Sequence, residues 1–456
     1  MQYTPTLKGK TMQFIRILLP VLITQVGLFA MNFFDIMMSG HASSSDLAGV
    51  AIGSSIWVPI YTGLSGILLA LTPIVAQHLG AGRKKEIAFS VIQAVYLGIT
   101  ISLIVIISGS FFLDPLLQQM KLEPFVRQVA HDYLAALSMG IVPLFVYNVF
   151  RCFIDALGQT RVTMTITLAS LPINIFLNYL FIFGKFGFPK LGGVGTGYAT
   201  AITYWCSCIM AIFIILRNKP FVGYEIFKRF YTISFKEWKT LLQIGIPIGF
   251  SIFFETSIFA AVTLLMSEFD TVTIAAHQSA MNFASLLYMI PLSISMTLTI
   301  AIGFEVGAKR FVDAKQYSFL GIGIAVFMAV LTSLFLFFFR GEVASMYTQE
   351  REVFELAKQF LLYAIFFQLS DAVAAPIQGA LRGYKDVNST FFMSFVSYWI
   401  IGLPLGYLLA NFTSAHAFGY WIGLITGLAA GALFLFTRLL FIQRRFARQS
   451  ANIKSA

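Results

Sequence analysis

The chain has 456 residues, of which 58% are hydrophobic and only 11% charged, with a mean hydropathy of +0.81. A soluble globular domain carries about 25% charged residues, so a cytosolic enzyme is excluded, and a disordered chain would lack this much Leu, Ile, Val and Phe. The net charge of +11 does not mark a nucleic-acid binder, because the bases sit between apolar runs, where they suit topology signals and anionic lipid headgroups.

A bilayer core about 30 Å thick needs about 20 apolar residues per helical crossing, and twelve segments reach that length. The first, 11–38, carries Pro20 and Asp35; the second to fourth are 47–75, 87–113 and 128–152. The fifth, 162–184, holds Asn174 and Asn178, and the sixth, 193–216, holds Thr196 and Thr200. A basic linker, 217–236, leads to the seventh, 237–267, with Pro247 and Glu255. The rest are 272–303, 316–339, 354–379 with Asp371, 389–411 and 416–440. No segment shows the alternation of a barrel strand, so the predicted fold is an all-α integral membrane protein. Cys152, Cys206 and Cys208 lie in or beside apolar segments without metal-ligand spacing and read as packing residues.

Lysine and arginine set the direction of insertion. Placing the even-numbered loops and both termini in the cytoplasm gathers 24 of the 31 bases there and leaves 7 outside. The cytoplasmic set includes Arg83-Lys84-Lys85, Lys309-Arg310, the linker bases and Arg444, Arg445 and Arg448. No small-residue cleavage site follows a short apolar run at the start, so the first span is expected to be retained.

Sliding the chain by 227 residues brings Pro20 onto Pro247, Tyr61 onto Tyr288, Thr72 onto Thr299, Gly80-Ala81 onto Gly307-Ala308 and Arg83 onto Arg310. A slightly different shift sets Leu157-Gly158 near Leu381-Arg382-Gly383. Six spans per half is an even number, so the repeat is parallel, about an axis along the membrane normal. The expected domains are an N-terminal lobe, 1–216, the linker, 217–236, and a C-terminal lobe with its basic tail, 237–456. This is a transporter architecture with alternating access. A channel would show a filter stretch, and none is visible.

Most acidic residues fall in loops or at span ends, but Asp35, Glu255 and Asp371 lie inside spans, and no Lys or Arg is expected at their depth. A charge at the bilayer centre costs at least about 2.5–3.5 kcal/mol and normally faces a wet cavity, a partner or a proton. Such a carboxylate can take up a proton or offer a hard oxygen to a small cation, which makes it a coupling site. Asp35 could instead reach the outer headgroups. Asn174 and Asn178, and Thr196 and Thr200, are each spaced i, i+4 on one helix face. They could complete a pocket around Asp35, or simply bond between helices. Pro20 and Pro247 predict a kink at equivalent points of the two halves, static or mobile.

The run from Ala275 to Arg310, AAHQSAMNFASLLYMIPLSISMTLTIAIGFEVGAKR, resembles the eighth span and following loop of the multidrug and toxic compound extrusion (MATE) family, in its NorM-like branch. LAGVAIGSSIWVP from Leu47 and GLPLGYLL from Gly402 are similar to it as well. The resemblance covers nearly the whole chain and implies a secondary antiporter, not an enzyme, of the bacterial inner membrane. It would act as a monomer without a cofactor, exchanging amphiphilic drugs or dyes for H+ or Na+. It gives Asp35, Asn174 and Thr196 as the N-lobe cation set. Asn178 stands where some relatives carry an aspartate, which puts a multi-carboxylate site there in doubt. In the C-lobe it implies Glu255 with Asp371, and Tyr288 and Gln278 near the cation and substrate cavity. A lipid-linked saccharide flippase of related architecture is the alternative; it would need cavity cations, and only Arg151 offers itself. A membrane-embedded enzyme has no support, since His41, His78, His131, His277 and His416 are scattered and no Walker loop is present.

Overall fold

The computed structural model describes the backbone of residues 1–455 and the side chains of residues 1–448; the end of the expected C-terminal lobe lies beyond them. Among the described residues there is no strand. Among them eleven helices are long and apolar enough to cross a membrane, and a bent pair, counted as one span, makes twelve. Helices overrun their hydropathic limits. Helix α1 (Leu7–Ala42) outruns 11–38, α4 (Lys84–Gln119) outruns 87–113, and α10 (Thr271–Gly307) and α12 (Arg351–Gly383) each continue past their apolar windows. Hydropathy marks the hydrocarbon-length run, whereas backbone hydrogen bonding continues wherever side chains can reach headgroups or water.

Three spans are not continuous helices. The second comprises α2 (Ser44–Leu68) and α3 (Leu71–Gly80), with Ser43 capping α2 by accepting the Asp46 amide at 3.0 Å. The fourth is α5 (Pro124–Ser138) and α6 (Ile141–Ala156), bent by 52°. Gly140 sits at that bend against α8 (Gly193–Arg217), where a Cβ would stand 2.6 Å from the Ala201 Cα. The eleventh is α13 (Val387–Phe395), a π-helical turn Val396–Gly402 and α14 (Leu403–Phe412). Pro404 has no amide for the Ile400 carbonyl, and the Leu403 amide reaches back five residues to Tyr398, so the turn widens before the proline. The remaining helices are α7 (Thr160–Phe183), α9 (Phe235–Met266), α11 (Phe311–Tyr347) and α15 (Ala417–Ser455).

The repeat is sharper in the backbone than in the sequence. Gly82 (φ 72°) and Lys309 (φ 59°) share one left-handed turn position, and Gly158 (φ 76°) and Lys385 (φ 62°) share another, both 227 apart. The closing bonds repeat too: Arg83 N to His78 O and Arg310 N to Glu305 O, each 2.9 Å, then Gln159 N to Ile154 O, 3.2 Å, and Asp386 N to Leu381 O, 2.9 Å. These are six-residue helix-terminating bonds. The second shift inferred for Leu157-Gly158 is therefore unnecessary; the one offset of 227 holds for both turns.

The helices gather into two compact units, Ile23–Gly249 and Met1–Leu22 with Phe250–Ala456. Their limits differ from the expected lobe boundaries at the linker. They fall inside α1 and α9, two residues past Pro20 and Pro247, again 227 apart. In the first unit Gly245 and Gly249 lie on α2, where Cβ atoms would meet Ile67 O at 2.3 Å and Gly63 O at 2.5 Å. In the second, Phe14, Ile17 and Val21 of α1 are buried with the C-terminal helices.

Small residues let these helices touch at the backbone, the usual device where lipid supplies no hydrophobic drive between helices. A Cβ on Gly379 would lie 2.1 Å from the Ser295 carbonyl oxygen, and the Thr299 hydroxyl donates to Gly379 O at 2.9 Å. Gly379→Ala should therefore force α10 and α12 apart. The expected cost is about 3 kcal/mol, the upper end for overpacking, seen as a lowered melting temperature in detergent; Gly323→Ala, with open space around it, serves as the neutral comparison.

Candidate cation-coupling sites

In the unit formed by residues 23–249, the two i, i+4 pairs and Asp35 come together. Asn178 donates its Nδ2 to Asp35 Oδ1 at 2.6 Å and also to Asn174 Oδ1 at 3.2 Å; Thr200 donates to Asp35 Oδ2 at 3.1 Å. Ser39, one turn past Asp35, donates to the Asp35 carbonyl at 2.7 Å and pairs with Thr196 at 2.8 Å. Asn174, Asn178 and Thr196 are completely buried, while Asp35 itself is half-buried. Asn178 Oδ1 and Asn174 Nδ2 are left without partners. A buried unsatisfied amide atom is costly, and here the two lie beside a carboxylate that no ion pair neutralises among the described residues. The donor set fits a small guest with oxygen-seeking charge, a proton or an alkali ion.

The second set lies in the other unit. The Tyr288 hydroxyl donates to Glu255 Oε1 at 3.3 Å, joining α9 to α10. Glu255 and Asp371 are 7% and 4% exposed and feel one another's charge, with Tyr398 close to both. No hydrogen bond reaches Asp371 among the described residues; it lines a small cavity of about 20 Å3 with Tyr288, Thr332, Gln368 and Pro291. Gln368, one turn before Asp371, donates to Ser333 at 2.8 Å and Thr332 at 3.0 Å. Pro291 has no amide to give Leu287, so a backbone carbonyl on the cavity wall loses its usual helical partner. Gln278 is exposed, ten residues before Tyr288 on α10, and does not line this cavity.

One expectation is corrected. A buried cation does act on one of the acids: Arg382, 8% exposed, acts electrostatically on Glu255 and Tyr288 although it forms no direct ion pair with them. Among the described residues its guanidinium makes one hydrogen bond, donated to Gln378 at 3.4 Å. Hydropathy ends the tenth span at 379 because Arg382 itself lowers the average, but the helix runs on to Gly383. On a helix, side chains lean toward the N-terminus, which carries the guanidinium back into the lobe. Two further acids also escaped notice, the half-buried Asp155 and the fully buried Glu305, and both are paired. Asp155 stands 3.7 Å from Arg151 and accepts Thr163 at 2.7 Å, and Glu305 accepts Arg310 at 2.5 Å. Arg151 is thus committed to Asp155. Of the three acids singled out from sequence, Glu255 and Asp371 are buried and Asp35 is half-buried, and none has an ion pair among the described residues.

Sequence gave no role to His277, which is fully buried and ties four helices. An indole N–H only donates, so Trp421 fixes His277 Nδ1 as the acceptor, at 3.1 Å, and Nε2 faces Thr263 at 3.3 Å. The ring also packs on Phe360. Trp421→Phe would leave Nδ1 buried and unsatisfied, at a cost of about 1–3 kcal/mol. Thermal melting in detergent should drop accordingly, without change in the coupling ion.

Comparison with known proteins agrees with the fold and the duplication. The MatE family model matches twice, over residues 20–180 and 247–408, and the two starts are 227 apart. The chain is 62% identical to the probable multidrug resistance protein NorM of Bacillus licheniformis, covering 98% of this chain and 99% of that protein. It is 60% identical to the probable multidrug resistance protein NorM of Bacillus subtilis, over 98% and 99% of the two chains. Among solved structures, an outward-facing multidrug resistance MATE family transporter matches with a TM-score of 0.89 at 17% identity, over 98% of this chain and 100% of that one. The Vibrio cholerae MATE transporter VcmN in its bent form matches with a TM-score of 0.83 at 18% identity, over 96% and 98%. With the family model covering both halves and close relatives matching from end to end, the chain belongs to the MATE family of membrane transporters, in its NorM-like branch.

Proposed function

We propose that this chain is a secondary multidrug efflux transporter that exports amphiphilic, often cationic compounds in exchange for H+ or Na+ by alternating access. The observation that carries the reading is Asp35, a carboxylate within a membrane-crossing helix that is met by Asn178 and Thr200 and by no cationic side chain among the described residues. Relatives about 60% identical that bear the name of multidrug resistance proteins support the substrate class. In the proposed cycle a cation binds Asp35, or Glu255 with Asp371, from the outside and weakens the hold on the drug, which leaves. The discharged carrier then returns and takes up drug from the cytoplasm. By linkage, drug and cation each lower the other's affinity by the same factor.

The two sets differ in the ion they suit. One carboxylate among neutral amides and hydroxyls suits a proton, whereas two carboxylates beside Tyr288 suit Na+. Both termini and the 217–236 linker face the cytoplasm of the bacterial inner membrane in this reading, following the bias of the bases, and the carrier works as a monomer. Everted membrane vesicles given an organic cation dye in the outer medium test it, with Na+ and pH gradients imposed separately. Dye uptake should follow at least one gradient and stop when both are dissipated; uptake indifferent to both overturns the proposal.

A further inference from the structure

The 217–236 linker carries an exposed apolar edge that the transport reading does not use. Phe230 is 92% exposed, Phe235 77% and Ile233 53%. Such exposure would suit a floppy loop, but this segment is pinned. Phe221 and Ile226 are buried in the first unit, and Phe150 and Phe153 pack against Phe227, Phe221 and Tyr224. The Gln93 side chain clamps the backbone from both sides, donating to Thr232 O at 2.7 Å and accepting the Ser234 amide at 2.9 Å. Tyr96 donates to Tyr231 O at 3.0 Å, and Ser90 donates to Glu237 at 2.7 Å. The aromatic tips are therefore held outward by a fixed backbone.

The repeat sharpens the contrast. Tyr3 occupies the position equivalent to Phe230, and its ring stacks on the Arg310 guanidinium at 4.6 Å. In the first unit the equivalent base, Arg83, is turned to Glu86 at 3.0 Å, and Phe230 has no ring or cation partner among the described residues. Around the edge stand the exposed bases Arg217, Lys219, Arg229, Lys236 and Lys239. Lys228 is tied to Glu225 at 2.7 Å, and that bond holds the Glu225 carboxyl below its ordinary pKa. Arg83, Lys84 and Lys85 open the same helix that supplies Ser90, Gln93 and Tyr96.

From this we infer that the linker edge Phe230–Ile233–Phe235, with Arg229 and Lys236, is a docking surface for anionic phospholipid. The linker leaves one membrane-crossing helix at Arg217 and enters the next at Phe235, so both its ends are fixed at the membrane boundary. A rigid apolar edge there meets acyl chains, and the flanking bases meet phosphates, the pairing that holds interfacial segments on membranes. A free phosphate would satisfy the bases but not the rings.

The test uses full-length Phe230→Cys carrying an environment-sensitive fluorophore, with wild type as the blank for Cys152, Cys206 and Cys208. In liposomes of phosphatidylglycerol and phosphatidylcholine, tail-brominated phosphatidylglycerol should quench the label more than tail-brominated phosphatidylcholine, and aqueous iodide should not reach it. Adding inorganic phosphate to the detergent-solubilised protein should leave the emission unshifted. Iodide quenching as complete as that of free dye overturns the proposal, and so does a phosphate-induced shift equal to that of the lipid. With Arg229→Gln and Lys236→Gln added, the preference for the anionic lipid should fall about fivefold per base removed; an unchanged preference overturns the electrostatic half. Thermal stabilisation of unlabelled wild type by phosphatidylglycerol, lost in the double Gln variant, provides a readout that needs no labelled cysteine.

Discussion

Asp35→Asn is expected to insert and fold as the wild type does while losing cation-driven efflux. The replacement keeps the shape of the side chain and removes only its charge. Asn178 can still donate to the one remaining oxygen, and the Thr200 hydroxyl, which can accept as well as donate, can turn to meet the new amide. The pocket therefore keeps its hydrogen bonds, and little stability is lost. What disappears is the group that distinguishes the cation-loaded state from the empty one. A coupling free energy of about 1–3 kcal/mol, or roughly 5–150-fold in affinity, then falls to nothing, and dye accumulation in everted vesicles drops to the level of vesicles without the carrier. Downhill dye exchange should persist, because the guest need not be exchanged for an ion to move down its own gradient. Full gradient-driven uptake by Asp35→Asn would remove this residue from the mechanism and shift the coupling to Glu255 and Asp371. Glu255→Gln tests that outcome, with Tyr288 still able to donate to the remaining carbonyl oxygen.

Much of this was legible because charge and helical periodicity act locally. An acid inside an apolar run stands out in sequence, and i, i+4 spacing placed Asn174 with Asn178 and Thr196 with Thr200 on one face each; that Asn178 and Thr200 reach Asp35 comes from the fold. Ser39 could have been found by the same rule, one turn past the acid. What stayed hidden depends on partners far apart in the chain. The bend at Gly140 is set by Ala201 on another helix. Arg382 was hidden by the averaging that defines a span, since a single base truncates the window in which it would have counted. The assignment of residues 1–22 to the unit of the C-terminal helices left no composition signal, because an apolar helix is equally apolar against either neighbour. A buried lysine in that segment is its one sequence-visible trace, and it reads as an ordinary cytoplasmic base.

That lysine yields the largest expected stability effect. Lys10 is 1% exposed and donates to both Asp313 and Gln316, while Thr4 bonds Tyr317 at 3.2 Å on the next turn of α11. Asp313→Ala removes the only acid that pairs with Lys10 among the described residues and strands a buried ammonium, a loss of about 3–5 kcal/mol. Lys10→Met should cost less, because Asp313 is 17% exposed and keeps Arg310 at 3.9 Å. Removing both, as Lys10→Met with Asp313→Leu, should recover most of the loss, since no uncompensated charge remains. The order expected in thermal melting is wild type above the double variant, then Lys10→Met, then Asp313→Ala; losses that simply add would show that the pair does not act as a unit. The repeat provides the internal control. The positions equivalent to Lys10 and Asp313 are Glu237 and Glu86, and there Glu237 is held by the neutral hydroxyl of Ser90 at 2.7 Å. Ser90→Ala therefore leaves a carboxylate that water can reach on a half-buried residue, and the same geometric contact should cost no more than about 1.5–3 kcal/mol, the range for a hydrogen bond to a charged group. The two halves thus anchor equivalent helix starts with unequal chemistry, and the difference between the two melting shifts measures how much of the second anchor is charge.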